Sequence, residues 1–87
     1  MNVFVVTYDL FKPGQDYSGF HDVIKSYDYV KLSESSYAIS TAEDEKVIYG
    51  KLNNFRDQND HVYIIGLKLP HIGYGPKTTN QWLQEHL

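Results

Sequence analysis

The sequence contains no cysteine, and this absence excludes both disulfide bridges and chemistry that depends on a thiolate. It also has no long hydrophobic run. The longest, Val62 to Leu67, has six residues and includes Gly66, far short of the ~18 residues of a membrane span. The start, MNVF, lacks the basic stretch with which a signal peptide begins. We therefore expect a cytoplasmic protein with no membrane partner.

The sequence also has no excess of basic over acidic residues. Eight basic residues stand against eleven acidic ones, which gives a formal net charge of −3, and Arg56 is the single arginine. Domains that live on nucleic acid usually carry a basic excess, and arginine is the side chain that clamps a phosphate through two hydrogen bonds. A role on RNA or DNA would therefore have to depend on local clustering of charge or on a metal ion.

What the sequence does have is the length and composition of one small globular domain. It has 87 residues, of which 41% are apolar and 22% charged, so there is material for one modest core. We predict a single domain over residues 1–87, whose final part, from about 70 to 87, forms a C-terminal arm. Eight tyrosines are the most unusual count, and core and sheet positions account for them.

Four segments have the composition of strands. Residues 3–8 are β-branched or aromatic at every position, which indicates a central strand with both faces covered. Three further strands are expected at 28–32, 35–40 and 62–69. Ser33-Glu34 would form the tight turn between the second and third strands.

Two segments carry apolar residues at helical spacing. They predict a helix at 17–27, capped by Asp16, and a helix at 42–57, capped by Thr41. The same spacing predicts which side chains these helices bury against the sheet. The residues expected in the core are Tyr17, Phe20, Ile24, Ile48, Leu52 and Phe55.

The order β-α-β-β-α-β predicts a ferredoxin-like fold of the α+β class, in which a four-stranded antiparallel sheet carries two helices on one face. The helices would leave the other face open, yet the first and last strands are apolar on both sides. An exposed apolar face of this kind marks an interface. Either the arm around Trp82 covers this face or a second chain does. We expect a homodimer to which the arm, a short helix or an extended segment, contributes.

Asp9 is the leading chemical candidate because it ends an apolar strand at the step into a loop, beside Tyr8. A carboxylate in this position can bind a hard cation through oxygen, and Mg²⁺ typically takes one or two protein carboxylates together with phosphate oxygens and water. In a two-fold dimer each chain would supply one Asp9. The alternative is an aspartate that stabilises a turn by bonding to nearby backbone.

The remaining motifs give weaker chemical signals. The serines around Glu34 lie in an expected turn without a nucleophile-elbow sequence, and residues 73–77, GYGPK, lack the spacing of a phosphate-binding loop. No two histidines have the i, i+4 spacing of a helical zinc site. The four histidines are His21, His61, His71 and His86.

Several pieces of the sequence are shared, in the same order, with a known family. The strand VFVVTYDL, the following KPG and DY, the later ESSYAIS and the C-terminal Trp82 together resemble the SinR-like proteins. These are small relatives of the second CRISPR-associated protein, the partner of the spacer integrase, and of the VapD toxins. The most specific piece is YDL at the end of the first strand, and the resemblance covers nearly the whole chain.

The resemblance implies a ferredoxin-like homodimer. In some members the Asp after the Tyr of the first strand is implicated in Mg²⁺-dependent phosphodiester cleavage, whereas other members are non-catalytic scaffolds that hold DNA. That Tyr and Asp correspond to Tyr8 and Asp9, and the Ser before the aromatic residue of the third strand corresponds to Ser36. Lys12 and Lys31 stand where many CRISPR-associated members carry arginines.

Two classes of function remain open. The first is a small dimeric, nucleic-acid-associated endonuclease that cleaves RNA rather than DNA, in which Asp9 from both chains holds Mg²⁺ and Tyr8 assists. The second is a non-catalytic dimeric scaffold or regulator on the same fold, and a small-molecule sensor is a third interpretation without a distinctive loop. A second acid beside Asp9 would favour the nuclease, and Asp16 and Glu34 are the candidates. The expected nucleic-acid contacts are Lys12, Lys31 and Ser36.

Overall fold

A computed structural model describes all 87 residues and contains four strands and three helices. The strands form one antiparallel sheet in the order β2-β3-β1-β4. The elements are, in chain order, β1 (Asn2–Asp9), α1 (Ser18–Lys25), β2 (Asp28–Ser33), β3 (Ser36–Thr41), α2 (Glu45–Asn53), β4 (His61–Gly66) and α3 (Lys77–His86). The predicted order of strands and helices is confirmed, and the C-terminal arm contains a helix.

β1 is the central strand that its composition predicts, because it pairs with β3 on one side and with β4 on the other. Phe4, Val6 and Tyr8 point to one face of the sheet and are buried there. Val3 points to the opposite face and is also buried. The strand is therefore covered along the core face, whereas on the opposite face Val5 and Thr7 are only half-buried and Asp9 is exposed, so the prediction of two covered faces is confirmed only in part.

The main core lies between α1, α2 and the face of the sheet that carries Phe4 and Val6. The predicted core residues Phe20, Ile24, Ile48 and Leu52 are each at most 1% exposed, and Tyr17 is partly buried against them. Burial of apolar surface at these positions is the main source of stability for so small a domain.

Phe55 was expected in this core, and that prediction is wrong. α2 ends at Asn53, so Phe55 falls beyond the helix and its side chain is 44% exposed. Its ring lies over Gly19 of α1, where a Cβ atom would come within 2.4 Å of the ring carbon Cδ1. Glycine at this position therefore permits the close approach of the Phe55 ring to α1.

Both helices are shorter than their apolar spacing predicts. α2 begins after Asp44, whose carboxylate accepts a hydrogen bond from the Val47 amide at 3.0 Å, whereas the predicted cap Thr41 ends β3. Its end at Asn53, rather than at 57, fits the low helix propensity of consecutive asparagines. In α1, Asp16 does accept the Ser18 amide at 2.9 Å, although Tyr17 occupies the N-cap position.

The strand ends also differ from those predicted. The turn between β2 and β3 lies at Glu34-Ser35, one residue later than expected, and the register is irregular between Lys31 and Ser33. β4 ends at Gly66 rather than at 69. The chain then leaves the sheet as an irregular segment over 67–76, which we call the connecting segment.

α3 lies on the face of the sheet opposite α1 and α2, where it packs against β2. The indole of Trp82 bonds to Asp28, which alternation and register place on the same face as Val30 and Ser40. The three helices are thus divided between the two faces of the sheet. None of them combines the length and the apolar character needed to cross a lipid bilayer.

Candidate functional site

Asp9 is an exposed carboxylate at the end of β1. It points to the same side of the sheet as Val5 and Thr7, away from the main core, and it forms no ion pair within the chain. Its neighbour across the sheet is His61, the first residue of β4. The structure therefore places a free carboxylate and an imidazole side by side at one end of the sheet face.

His61 was not singled out from the sequence. Its ring meets Phe11 edge-on, with 5.1 Å between the ring centroids, just after the chain leaves β1. The antiparallel register of β1 and β4 places His61 beside Asp9, although the two residues are 52 positions apart in the sequence. Sequence spacing alone carries no information on that register.

Tyr8 and Asp9 point to opposite faces of the sheet because successive residues of a strand alternate. The Tyr8 side chain is buried in the main core, and its hydroxyl lies 3.1 Å from Nε2 of His21 and 3.3 Å from the Glu34 carbonyl oxygen. Burial, with smaller contributions from Tyr37 and Glu34, raises the pKa of Tyr8 to about 12. The structure thus separates this phenol from Asp9 and keeps it protonated.

The three expected nucleic-acid contacts each have a local partner. The Lys12 ammonium lies 3.5 Å from an Asp57 carboxylate oxygen, and the Lys31 ammonium lies 3.1 Å from Glu34. The Ser36 hydroxyl is 2.6 Å from that of Ser33. The two lysines are consequently balanced by acids in the chain.

Ser36 is the one of these residues that the sheet register places near Asp9. It pairs with Thr7, two residues before Asp9, and shares its face of the sheet. Lys12 lies in the loop after β1, and Lys31 lies on β2 at the far edge of the sheet. The structure of one chain therefore does not gather the predicted residues into a single cleft.

Neither acid proposed to accompany Asp9 is free to do so. The Asp16 carboxylate accepts a hydrogen bond from the Ser18 amide, and Glu34 pairs with Lys31. No group of three or more histidine, aspartate or glutamate side chains lies together within one chain.

Asp60 is an acid that sequence reasoning missed, and its role is structural. The side chain is buried, and its two oxygens accept hydrogen bonds from the amides of Phe11 at 2.7 Å and Asp57 at 2.8 Å. Burial acts to raise the pKa of Asp60, but the Phe11 amide, the Tyr17 hydroxyl and the Asp57 amide outweigh it, so the pKa is lowered. Asp60 joins the loop after β1 to the loop before β4.

The sheet face that carries Asp9 is covered along β2 and β3 by α3 and is open along β4. Tyr63 and Ile65 are 65% and 53% exposed there, and Thr7 lies beside Tyr63 on β1. We call Thr7, Tyr63 and Ile65 the uncovered half-face. The connecting segment carries further exposed apolar side chains, namely Leu69, Ile72 and Tyr74, of which Ile72 and Tyr74 border a cleft shared with Leu32 and Leu83.

Comparisons of this chain with protein-family models, with curated proteins and with solved structures find no match.

Proposed function

We propose that the protein acts as a homodimer in which the uncovered half-face of one copy packs on that of another. An exposed apolar surface of this kind, with Tyr63 and Ile65 at its centre, is the usual mark of an interface. A stable interface buries upwards of about 1,000 Å² in total, so side chains around Tyr63 and Ile65 would have to join the contact.

The fold proposed for this dimer is the ferredoxin-like one. The strand order β2-β3-β1-β4, with every neighbouring pair antiparallel and two helices over one face, supports it. The resemblance of the YDL, KPG and DY pieces to the SinR-like, VapD and CRISPR-associated proteins supports the same proposal. In this arrangement α3 is an addition on the second face.

The activity we propose is metal-dependent cleavage of a phosphodiester, with RNA as the substrate. The observation that carries it is the Asp9 carboxylate, exposed beside His61 at the edge of the uncovered half-face and free of any ion pair. Carboxylate oxygens suit Mg²⁺. One chain supplies a single free carboxylate here, that of Asp9, so the two-fold pairing of copies would supply the second. Bound Mg²⁺ would provide charge for the phosphate oxygens and a more acidic water.

The residues of the chain would then have distinct tasks. Asp9 would hold the cation, and His61 is placed to accept or donate a proton next to it. Ser36, on the same face, would contact the substrate backbone. Tyr8 would assist only indirectly, because its hydroxyl lies on the opposite face of the sheet. Lys12 and Lys31 would reach phosphate only by leaving Asp57 and Glu34.

A non-catalytic dimeric scaffold or regulator is the second candidate. It is favoured by the pairing of Lys12 and Lys31 with acids and by the presence of one free acid per chain at the site. In that case the uncovered half-face would still form the dimer, and Asp9 would serve only the turn at the end of β1. The two candidates thus share the dimer and differ in whether Asp9 has a chemical role.

One set of assays separates the candidates. Purified protein is incubated with single-stranded RNA and with duplex DNA, in Mg²⁺ or in chelator, beside the variants Asp9→Asn and Asp22→Asn. Asp22 is an exposed aspartate of α1 that makes no ion pair, so its variant is a matched control for the loss of one charge. We expect Mg²⁺-dependent cleavage of RNA that Asp9→Asn abolishes and Asp22→Asn retains.

Other outcomes decide against the nuclease. Cleavage that persists in Asp9→Asn would assign the activity to another site or to a contaminant. Absence of cleavage by the unmodified protein in every metal tested would leave the scaffold as the function. A monomer by light scattering at micromolar concentration would overturn the dimer that both candidates need.

A further inference from the structure

A polar cluster that none of the proposed chemistry uses joins α3 to β2. The Asp28 carboxylate accepts a hydrogen bond from the Trp82 indole N–H at 2.9 Å, and its other oxygen lies 2.6 Å from Nε2 of His86. The remaining His86 nitrogen, Nδ1, lies 2.7 Å from the backbone oxygen of Trp82. The two rings stack with 3.9 Å between their centroids. We call Asp28, Trp82 and His86 the clamp.

The count of hydrogens in the clamp fixes the charge of His86. Both ring nitrogens face atoms that can only accept, a carboxylate oxygen and a carbonyl oxygen. Neutral imidazole has one N–H, so only the protonated ring donates to both acceptors. Short contacts of 2.6 and 2.7 Å are typical of hydrogen bonds assisted by charge. The clamp is therefore complete only while His86 is in the positively charged form, with a proton on both ring nitrogens.

The surrounding groups favour that proton. Burial acts to lower the pKa of His86, but the Trp82 carbonyl and the Asp28 carboxylate outweigh it and hold the pKa above its ordinary value. Glu85 on the same helix acts in the same direction. The other residues with titratable groups nearby are Lys68 and Met1, which line a cavity of about 810 Å³ that also borders His86.

Apart from the clamp, α3 makes few fully buried contacts with the sheet. Thr79 is its single fully buried residue, Trp82 and Leu83 are partly buried, and β2 is the main element it packs against. Beneath and beside it, Leu32 shares a cleft with Leu83, and Val30 shares another with Thr79. Because the apolar burial of this helix is small, the bonds of the clamp make up a large part of what fixes its position.

We propose that α3 is a pH-sensitive cover, which protonated His86 holds on the sheet and which deprotonation of His86 releases. After deprotonation one ring nitrogen faces an acceptor without a hydrogen, so one bond of the clamp becomes a repulsion. Since the pKa is raised in the folded protein, the clamp is intact at low pH and is lost as pH rises through that pKa. Release of α3 would extend the uncovered half-face across β3 to β2.

Trp82 makes this proposal directly measurable because it is the only tryptophan of the chain. A protonated imidazole stacked on an indole quenches its emission. We expect Trp82 emission to increase and to shift to longer wavelength as pH is raised from about 5 to about 9, the range in which histidine titrates. Hydrogen exchange of the α3 amides should lose protection over the same range, while the amides of β1 stay protected.

Three variants give the controls. Asp28→Asn keeps an oxygen for the indole but removes the charge that favours protonated His86, so its transition should move to lower pH. His86→Gln should abolish the transition. His71→Gln, in the exposed connecting segment, should leave it unchanged. Far-ultraviolet circular dichroism at each pH verifies that all variants remain folded.

The proposal is overturned if emission and α3 protection do not change between about pH 5 and about pH 9. It is equally overturned if His86→Gln retains the transition, or if Asp28→Asn titrates at the same pH as the unmodified protein. None of these readouts depends on cleavage or on the charge of Asp9. Failure of this proposal and failure of the proposed function are therefore distinguishable.

Discussion

The two faces of the sheet are built in different ways. On one face α1 and α2 are fixed by side chains that are almost completely buried, such as Phe20 and Ile48. On the other, Thr79 is the single fully buried residue of α3, which a clamp of hydrogen bonds also holds, while Tyr63 and Ile65 stay exposed. The contrast teaches that the fully buried apolar contacts are concentrated on the first face, and it is why we place the proposed dimer contact and the proposed movement of α3 on the second.

The largest effect on stability is expected from truncation in the first face. Ile24→Ala or Leu52→Ala should lower the free energy of unfolding by about 2–5 kcal/mol, because each leaves a cavity in a core that the chain cannot refill. Val47→Ala, on the exposed side of α2, is the control and should change it by less than about 0.5 kcal/mol. Urea unfolding followed by circular dichroism measures the difference. Equal stability of Ile24→Ala and Val47→Ala would contradict this description of the core.

Asp60→Asn should have the next largest effect, about 1–3 kcal/mol, because the amide keeps only one acceptor oxygen for the amides of Phe11 and Asp57. The pKa of Asp60 is lowered in the folded chain, so its carboxylate stabilises the fold at neutral pH and this contribution is lost as pH falls through the folded-state pKa. The difference in stability between the unmodified protein and Asp60→Asn should therefore shrink in acid. A difference that stays constant down to acid pH would contradict this role.

Tyr8→Phe should cost about 0.5–1.5 kcal/mol, since it removes the buried hydroxyl that contacts His21 and the Glu34 carbonyl. Because the pKa of Tyr8 is raised to about 12, the hydroxyl stabilises the fold below its ordinary pKa and that contribution disappears between about pH 10 and about pH 12. Tyr49→Phe, at an exposed site on α2, is the matched control. RNA cleavage abolished by Tyr8→Phe in a fully folded protein would contradict the placement of this phenol away from Asp9.

The smallest effect on the stability of the single chain is expected on the second face. Tyr63→Ser should change the free energy of unfolding of the monomer by about 0.5 kcal/mol or less, because its side chain is 65% exposed. It should nevertheless shift the molecule from dimer to monomer by light scattering. Val47→Ser, on the exposed side of α2, should leave the dimer intact. A dimer unaffected by Tyr63→Ser would show that the interface does not include Tyr63 and would contradict its proposed position.

The sequence predicts this fold well where the pattern is local. The apolar run of β1 and the spacing of Phe20, Ile24, Ile48 and Leu52 identify the central strand and the two core-facing helices. Element ends are less well predicted, because capping by Asp44 rather than Thr41 is decided by backbone geometry at the end of β3. Phe55 was misplaced because α2 stops at Asn53, before the apolar spacing reaches it.

The candidate site is only partly predictable, because it depends on contacts between distant parts of the chain. Asp9 could be identified from its place at the end of an apolar strand. His61 and Asp60 could not, because their importance comes from the pairing of β1 with β4 and from loops that meet in space. The clamp joins residues 54 and 58 positions apart, and no periodic pattern marks Asp28 as the partner of Trp82 and His86.

The central claim is that two copies meet through the second face and bring their Asp9 positions together. Since the chain has no cysteine, Asp9→Cys provides a single site for a nitroxide spin label. We expect strong dipolar broadening between the labels of the two copies, which disappears when labelled protein is diluted into an excess of unlabelled protein. A label at Asp22→Cys, on α1 of the opposite face, should give weak coupling or none. Absence of broadening at position 9 in a verified dimer would contradict the claim.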